Sequence, residues 1–177
     1  MSKETVQIGN PIIRTKSRRE SSVPSAQTRK TVSRLIDSMR ENDLVGMAAP
    51  QIGSNVRIFV TEIRKTKVRN PALQDSLRVF INPKIIVSSK REVLGWEGCG
   101  SVAFSGLFGK VRRPYSVTVQ AQDIEGAVFE LKASGLLARI IQHEVDHLNG
   151  VLFTDRADPK TYMSTNEYRA ARQRATA

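Results

Sequence analysis

The 177-residue chain holds one cysteine, one tryptophan and two histidines, and its 17 acidic residues are outnumbered by 28 lysines and arginines. The lone thiol, Cys99, excludes an internal disulfide and with it the stapled architectures of small secreted domains. No apolar run is long enough to span a bilayer, and Met1-Ser2-Lys3-Glu4-Thr5 lacks the apolar stretch of a signal peptide. These absences predict a chain without a membrane role, in the cytoplasm or, for a eukaryotic source, an organelle matrix. Repeats, low-complexity tracts and domain linkers are lacking too. A single domain over 1–177 is therefore expected, with residues 1–9 and about 165–177 as peripheral tails. The net charge of +11 favours polyanions, yet the basic residues are scattered without the aromatic interleaving of a nucleic-acid-binding module. Most of them read as a solvated surface.

What is present is concentrated. Both histidines fall in Gln142-His143-Glu144-Val145-Asp146-His147, an H-E-x-x-H pattern. On a helix, imidazoles at this spacing project from one face and can hold one metal ion, while Glu144 stands where a carboxylate can take a proton from water at that ion. Five-residue patterns also occur by chance on solvated helices. Here Leu136, Leu137, Ile140, Ile141, Val145 and Leu148 surround the motif, so the helix reads as buried and its polar groups need partners.

Elsewhere, Val32, Leu35, Ile36 and Met39 recur at helical spacing behind a Ser25 cap, predicting an amphipathic helix from Ser25 to about Asn42. Asn10-Pro11-Ile12-Ile13-Arg14 reads as extended chain. Strands are expected at Arg57–Thr61, at Leu77–Ile81 and, after Asn82-Pro83, at Lys84–Ser88, with a loop from Thr66 to Ser76. The alternation from Tyr115 to Ala121, the turn Asp123-Ile124-Glu125-Gly126 and Val128–Lys132 predict an antiparallel hairpin. Gly150 is placed to end the metal helix, and a short basic helix is expected to close the chain.

A catalytic metal commonly takes three protein ligands, and the histidines supply two. Cys99, in Glu97-Gly98-Cys99-Gly100-Ser101, is the natural third. A lone intracellular cysteine is more often inert and buried; the glycine-flanked setting beside an acid favours a ligand. Leu44-Val45-Gly46-Met47-Ala48-Ala49-Pro50-Gln51 adds a run of small residues ending in an amide donor.

In this order the three motifs resemble those of the peptide deformylase family, G-x-G-x-A-A-x-Q, E-G-C-x-S and H-E-x-D-H, and the likeness runs from about residue 10 to 165. It implies an α+β fold of antiparallel strands packed around a central metal-binding helix, and removal of the N-formyl group from the formyl-methionine of nascent chains. Cys99, His143 and His147 would hold one divalent ion, iron(II) first, with zinc, nickel or cobalt able to take the same ligands. Glu144 would be general base and then acid. Gln51 and the Gly100 N–H would donate to the oxyanion, and Gly46 to or from the substrate. Met47 and Ile140, with Leu136, are candidates for the methionine pocket.

Two positions depart from the pattern: Leu44 stands for the first glycine, and Gly100 for a residue that is commonly leucine. Phe108 lies near where many bacterial members carry an arginine. Of Arg112 and Arg113, one is expected to pair with Glu97 or Asp146. N-formylmethionyl peptides are the expected partners, and the basic surface suggests contact with ribosomal RNA. A zinc peptidase and a metal-binding paralogue without efficient turnover are the competing readings.

Overall fold

The computed structural model describes residues 5–65 and 74–176, with side chains to Arg174. Its first helix, α1 (Pro11–Arg14), is a single turn where extended chain was expected. Asn10 caps it, accepting from the Ile12 N–H at 3.1 Å, and proline in the first turn has its φ preset for a helix. The amphipathic helix follows as α2 (Ala26–Glu41), with Ser25 Oγ accepting from the Thr28 N–H at 3.1 Å and Val32, Leu35 and Met39 on the buried face.

Then come β1 (Gly46–Ala48), β2 (Ile58–Ile63), β3 (Asp75–Ser88), β4 (Glu92–Gly98), β5 (Leu107–Pro114), β6 (Ser116–Gln122), β7 (Val128–Ser134), α3 (Gly135–Leu148), β8 (Met163–Ser164) and α4 (Thr165–Thr176). Five strands form one sheet in the order β1-β2-β3-β6-β7, and β4-β5-β8 form a second; every pairing is antiparallel. Most of the expected loop from Thr66 lies outside the described residues, while its last two positions already belong to β3.

The two strands expected on either side of Asn82-Pro83 are one. Asn82 takes a left-handed φ of 53° and the register against β6 slips between Ile81 and Lys84, so the asparagine makes a bulge instead of a turn. Its side chain donates to the Glu20 carbonyl and to Gln122 and accepts from the Glu20 N–H, each at 2.8 Å. The β6–β7 hairpin has the expected alternation, with Val117, Val119 and Ala121 buried. Asp123 Oδ1 closes its turn by accepting from the N–H groups of Glu125 and Ala127 at 2.9 Å.

Helix α3 buries Ala138, Ile141, Val145 and Leu148 against Phe59, Phe80, Val117 and Val119 of the large sheet. That spacing occupies one stripe, which leaves His143 and His147 on the opposite side of the helix and Glu144 at the margin between the two. A second cluster, with Leu35, Met39, Met47 and Val60, lies between α2 and the sheet, and a third gathers Ile13, Val111, Leu152 and Phe153 around Cys99. No helix among the described residues is long and apolar enough to cross a membrane.

The end of α3 is locked against α1. Gly150 has φ 74°, and a Cβ there would run into the Arg14 carbonyl oxygen. Gly53 has nearly the same φ, 75°, but its nearest neighbour to a Cβ is 3.9 Å away. Gly53→Ala should cost about 1 kcal/mol from backbone strain alone, and Gly150→Ala clearly more, because the carbonyl must also move. Urea unfolding of both variants measures the difference; equal losses would show that the contact with Arg14 carries no weight.

Candidate metal centre

Three elements converge on one point. β4 delivers Glu97 and the turn Gly98-Cys99-Gly100-Ser101, α3 delivers His143, Glu144 and His147, and β1 with the turn after it delivers Gly46 and Gln51. The ligand atoms of Cys99, His143 and His147 all lie within 4.8 Å of one another. Cys99 Sγ is 3.2 Å from His147 Nε2, and it accepts from the Ser101 N–H at 3.4 Å and from Gln51 Nε2 at 3.7 Å. Gln51 Oε1 accepts from the Ala48 N–H at 2.8 Å, which fixes the amide with its N–H groups toward the sulfur.

Behind the ligands lies a buried network of charge. Arg113, 3% exposed, donates through Nε and Nη2 to both oxygens of Glu97 at 2.8 Å and through Nη1 to Asp146 at 2.6 Å. Arg139 reaches Glu97 at 2.7 Å, and Arg156 reaches Asp146 at 2.6 and 2.7 Å. Glu97 Oε2 also meets His143 Nδ1 at 3.0 Å, leaving Nε2 as the nitrogen available to a metal. Of the two arginines considered, Arg113 therefore makes both expected pairs, and Arg112 is exposed.

These contacts set the titration of the site. Burial alone would raise Glu97, but hydrogen bonds from Arg113 and His143 outweigh it and hold the carboxyl far below the usual carboxylate range. Burial opposes charge on His143 as well, yet its bonds to Cys99 and Glu97 carry its pKa well above the ordinary value. Burial and the positive charge on His143 push His147 the other way. The Cys99 sulfur and the two imidazoles thus converge on one point, and the donor set of one sulfur and two nitrogens suits a divalent transition ion. Beside them Glu144, buried with its Oε2 bonded to no group among the described residues, is pushed up by burial to about 7. A carboxyl titrating near neutrality can take a proton and give it back.

Gly46 stands against this carboxylate so closely that a Cβ would collide with Glu144 Oε1 and lie 2.8 Å from Ile140 Cγ2. Gly46, Gln51, Cys99, Gly100, Ile140 and Glu144 border one cavity of about 820 Å³, and Leu136 lines it too. Met47 does not join them. It is fully buried with Val32, Leu35 and Met39, because successive residues of β1 point to opposite sides and Gly46 takes the side facing α3. Leu44 and Gly100, the two departures from the motif pattern, are neighbours: a Cβ on Gly100 would lie 2.9 Å from Leu44 Cδ1.

Several residues of the site had no sequence signal. Thr5 and Gln7, within a stretch expected as a peripheral tail, donate to the Gly100 carbonyl at 2.7 and 2.8 Å, and the Ile8 N–H donates to the Ser101 carbonyl at 2.8 Å. Tyr168 of α4, in the other expected tail, stacks on Phe108 with ring centres 4.1 Å apart and meets Trp96 edge-on at 5.6 Å.

The sequence matches the family described as polypeptide deformylase over residues 2–162. A peptide deformylase of Dictyoglomus thermophilum is 37% identical over 161 residues, covering 91% of this chain and 96% of the relative. The chloroplastic peptide deformylase 1B of Solanum lycopersicum is 38% identical over 151 residues, 85% of this chain and 51% of that protein. Among solved structures, a class I type b peptide deformylase from Acinetobacter baumannii bound to Met-Ala-Ser superposes with a TM-score of 0.80 at 32% identity, covering 86% of this chain and 97% of that one. A peptide deformylase from Plasmodium falciparum superposes equally, at 0.80 and 34% identity, over 89% and 87%. Sequence and fold agree along nearly the whole chain, and it belongs to the polypeptide deformylase family.

Proposed function

We propose that this chain hydrolyses the formyl amide at the start of formyl-methionyl peptides, releasing formate, as one deformylase domain with strands packed around α3. The observation that carries the reading is the meeting of Cys99, His143 and His147 beside Glu144, whose buried Oε2 has no hydrogen-bond partner among the described residues. Those three side chains would hold one divalent ion, iron(II) before zinc, nickel or cobalt. Bound there, the ion would polarise the formyl carbonyl and make water more acidic.

The remaining work falls to the chain. Glu144 takes a proton from the attacking water, the formyl carbon becomes tetrahedral, and its oxygen accepts from Gln51 Nε2 and the Gly100 N–H. Each such donor typically lowers the barrier by roughly 2.7–4 kcal/mol. Glu144 then returns the proton to the amine nitrogen, the C–N bond breaks and formate leaves. Ile140 and Leu136 offer apolar wall to the methionine side chain, and the Met-Ala-Ser peptide held by the Acinetobacter relative supports a peptide in this cavity. Nascent chains in the cytoplasm or an organelle matrix would be the source of substrate, with the basic surface against ribosomal RNA.

Leu44 supports an active enzyme over a silent paralogue. Its Cδ1 fills space beside Gly100 that a side chain at position 100 would otherwise enter, so the two departures compensate within one wall of the cavity.

Protein purified without oxygen should turn over formyl-Met-Ala-Ser with about one metal per chain. Glu144→Gln should lower kcat about a hundred- to ten-thousand-fold while metal content is unchanged. Retained turnover in that variant would remove Glu144 from the role of base. Chelation should abolish activity, and anaerobic iron(II) or nickel(II) should restore it; activity indifferent to both would rule out the metal reading.

Position 100 gives a further check. Gly100→Leu alone should lower kcat/KM, since overpacking of this kind costs about 1–3 kcal/mol, and adding Leu44→Gly should recover most of the loss. Losses that simply add would show that the two positions act independently.

A further inference from the structure

The cavity is larger than a formyl group and one methionine side chain require, and its far end is built by α4. Thr165, Tyr168, Arg169, Arg172 and Gln173 all border it, which is the i, i+3, i+4, i+7, i+8 stripe of a single helix face. The helix is fastened in that orientation. The Thr165 N–H donates to the Gly106 carbonyl at 3.1 Å, Thr165 Oγ1 donates to the Ser105 carbonyl at 2.6 Å, and Tyr168 is stacked on Phe108. The Arg172 guanidinium lies 5.9 Å from the centre of the Tyr168 ring.

Charge around the cavity is uneven. At the metal end Glu97 and Arg139 are engaged with each other, and Glu144 is buried. The α4 end of the lining carries two arginines, Arg169 and Arg172, and the remaining acid of the lining is Asp43. A peptide with its first residue at Cys99, His143 and Glu144 has continuous space toward these two arginines.

We infer that α4 is one wall of the peptide-binding site, receiving the residues that follow the first methionine, and that Arg169 and Arg172 make it prefer acidic side chains there. The inference rests on the deformylase reading for the placement of the first residue. It makes α4 a specificity element: Tyr168 supplies an aromatic floor continuous with Phe108 and Trp96, and the arginines supply the choice of charge.

The test reads binding separately from turnover. Trp96 is the only tryptophan in the chain and stands beside Tyr168, so its fluorescence reports occupancy of this end of the cavity. The metal-loaded protein is titrated at low salt with the amidated product peptides Met-Ala-Asp-Glu and Met-Ala-Lys-Lys. The acidic peptide should bind about three- to tenfold more tightly, as two solvent-facing ion pairs allow, and the ratio should shrink as salt is added. In the double variant Arg169→Gln, Arg172→Gln the ratio should fall to near one. A wild-type ratio of one, a ratio that survives in the double variant, or no binding of either peptide would overturn the inference. Turnover of formyl-Met-Ala-amide by the wild type, measured on the same sample, decides the deformylase reading independently of that ratio.

Discussion

The site depends on one buried cation. Arg113 arrives from β5 and ties Glu97 of β4 to Asp146 of α3, so three elements meet at one guanidinium, while Arg139 and His143 of α3 also bond to Glu97 directly. Two carboxylates with almost no solvent contact share it, and each has further partners, Arg139 and His143 on Glu97 and Arg156 on Asp146. The planar fork also matters: it meets both oxygens of Glu97 while its third nitrogen reaches Asp146, a geometry that an ammonium does not reproduce. Glu97 in turn orients His143, so the tautomer of a candidate ligand is decided by an ion pair one layer behind it.

Close approach is the second constraint. Glycine at position 46 lets β1 lie directly on the Glu144 carboxylate, and glycine at 150 lets the end of α3 seat against α1. The Cys99 turn is held from the other side by Thr5, Gln7 and Ile8, which bond to the carbonyls of Gly100 and Ser101. Strand, helix and strap thus fix the turn on three sides, the kind of support that keeps a reacting geometry within tolerance.

What could be read from the sequence was whatever repeats with a regular period. Helices α2 and α3 and the β6–β7 hairpin announce themselves by apolar spacing of 3.6 or 2. Strand β5 stayed hidden because Arg113 occupies one of its buried positions, and a charged residue in a core register reads as surface. Asn82-Pro83 has the composition of a turn and forms a bulge, because Glu20 and Gln122 satisfy the asparagine side chain from outside the strand. Cys99, from one motif, and His143 and His147, from another more than forty residues on, are brought together by the fold. Met47 was misplaced by one residue of strand parity. The contributions of Thr5, Gln7 and Tyr168 are contacts between distant segments of polar chain, which no local pattern encodes.

The single thiol has an analytical consequence. Cys99 is the only sulfhydryl in the chain and, at 3% exposed, is reached through the cavity. A sulfur engaged by a metal ion is shielded from alkylating reagents, so on any one preparation the reactive thiols per chain count the open centres while the metal content counts the filled ones. In undamaged protein the two numbers sum to one. A shortfall identifies molecules whose sulfur has climbed the oxidation ladder, and so separates oxidative damage from simple loss of the ion.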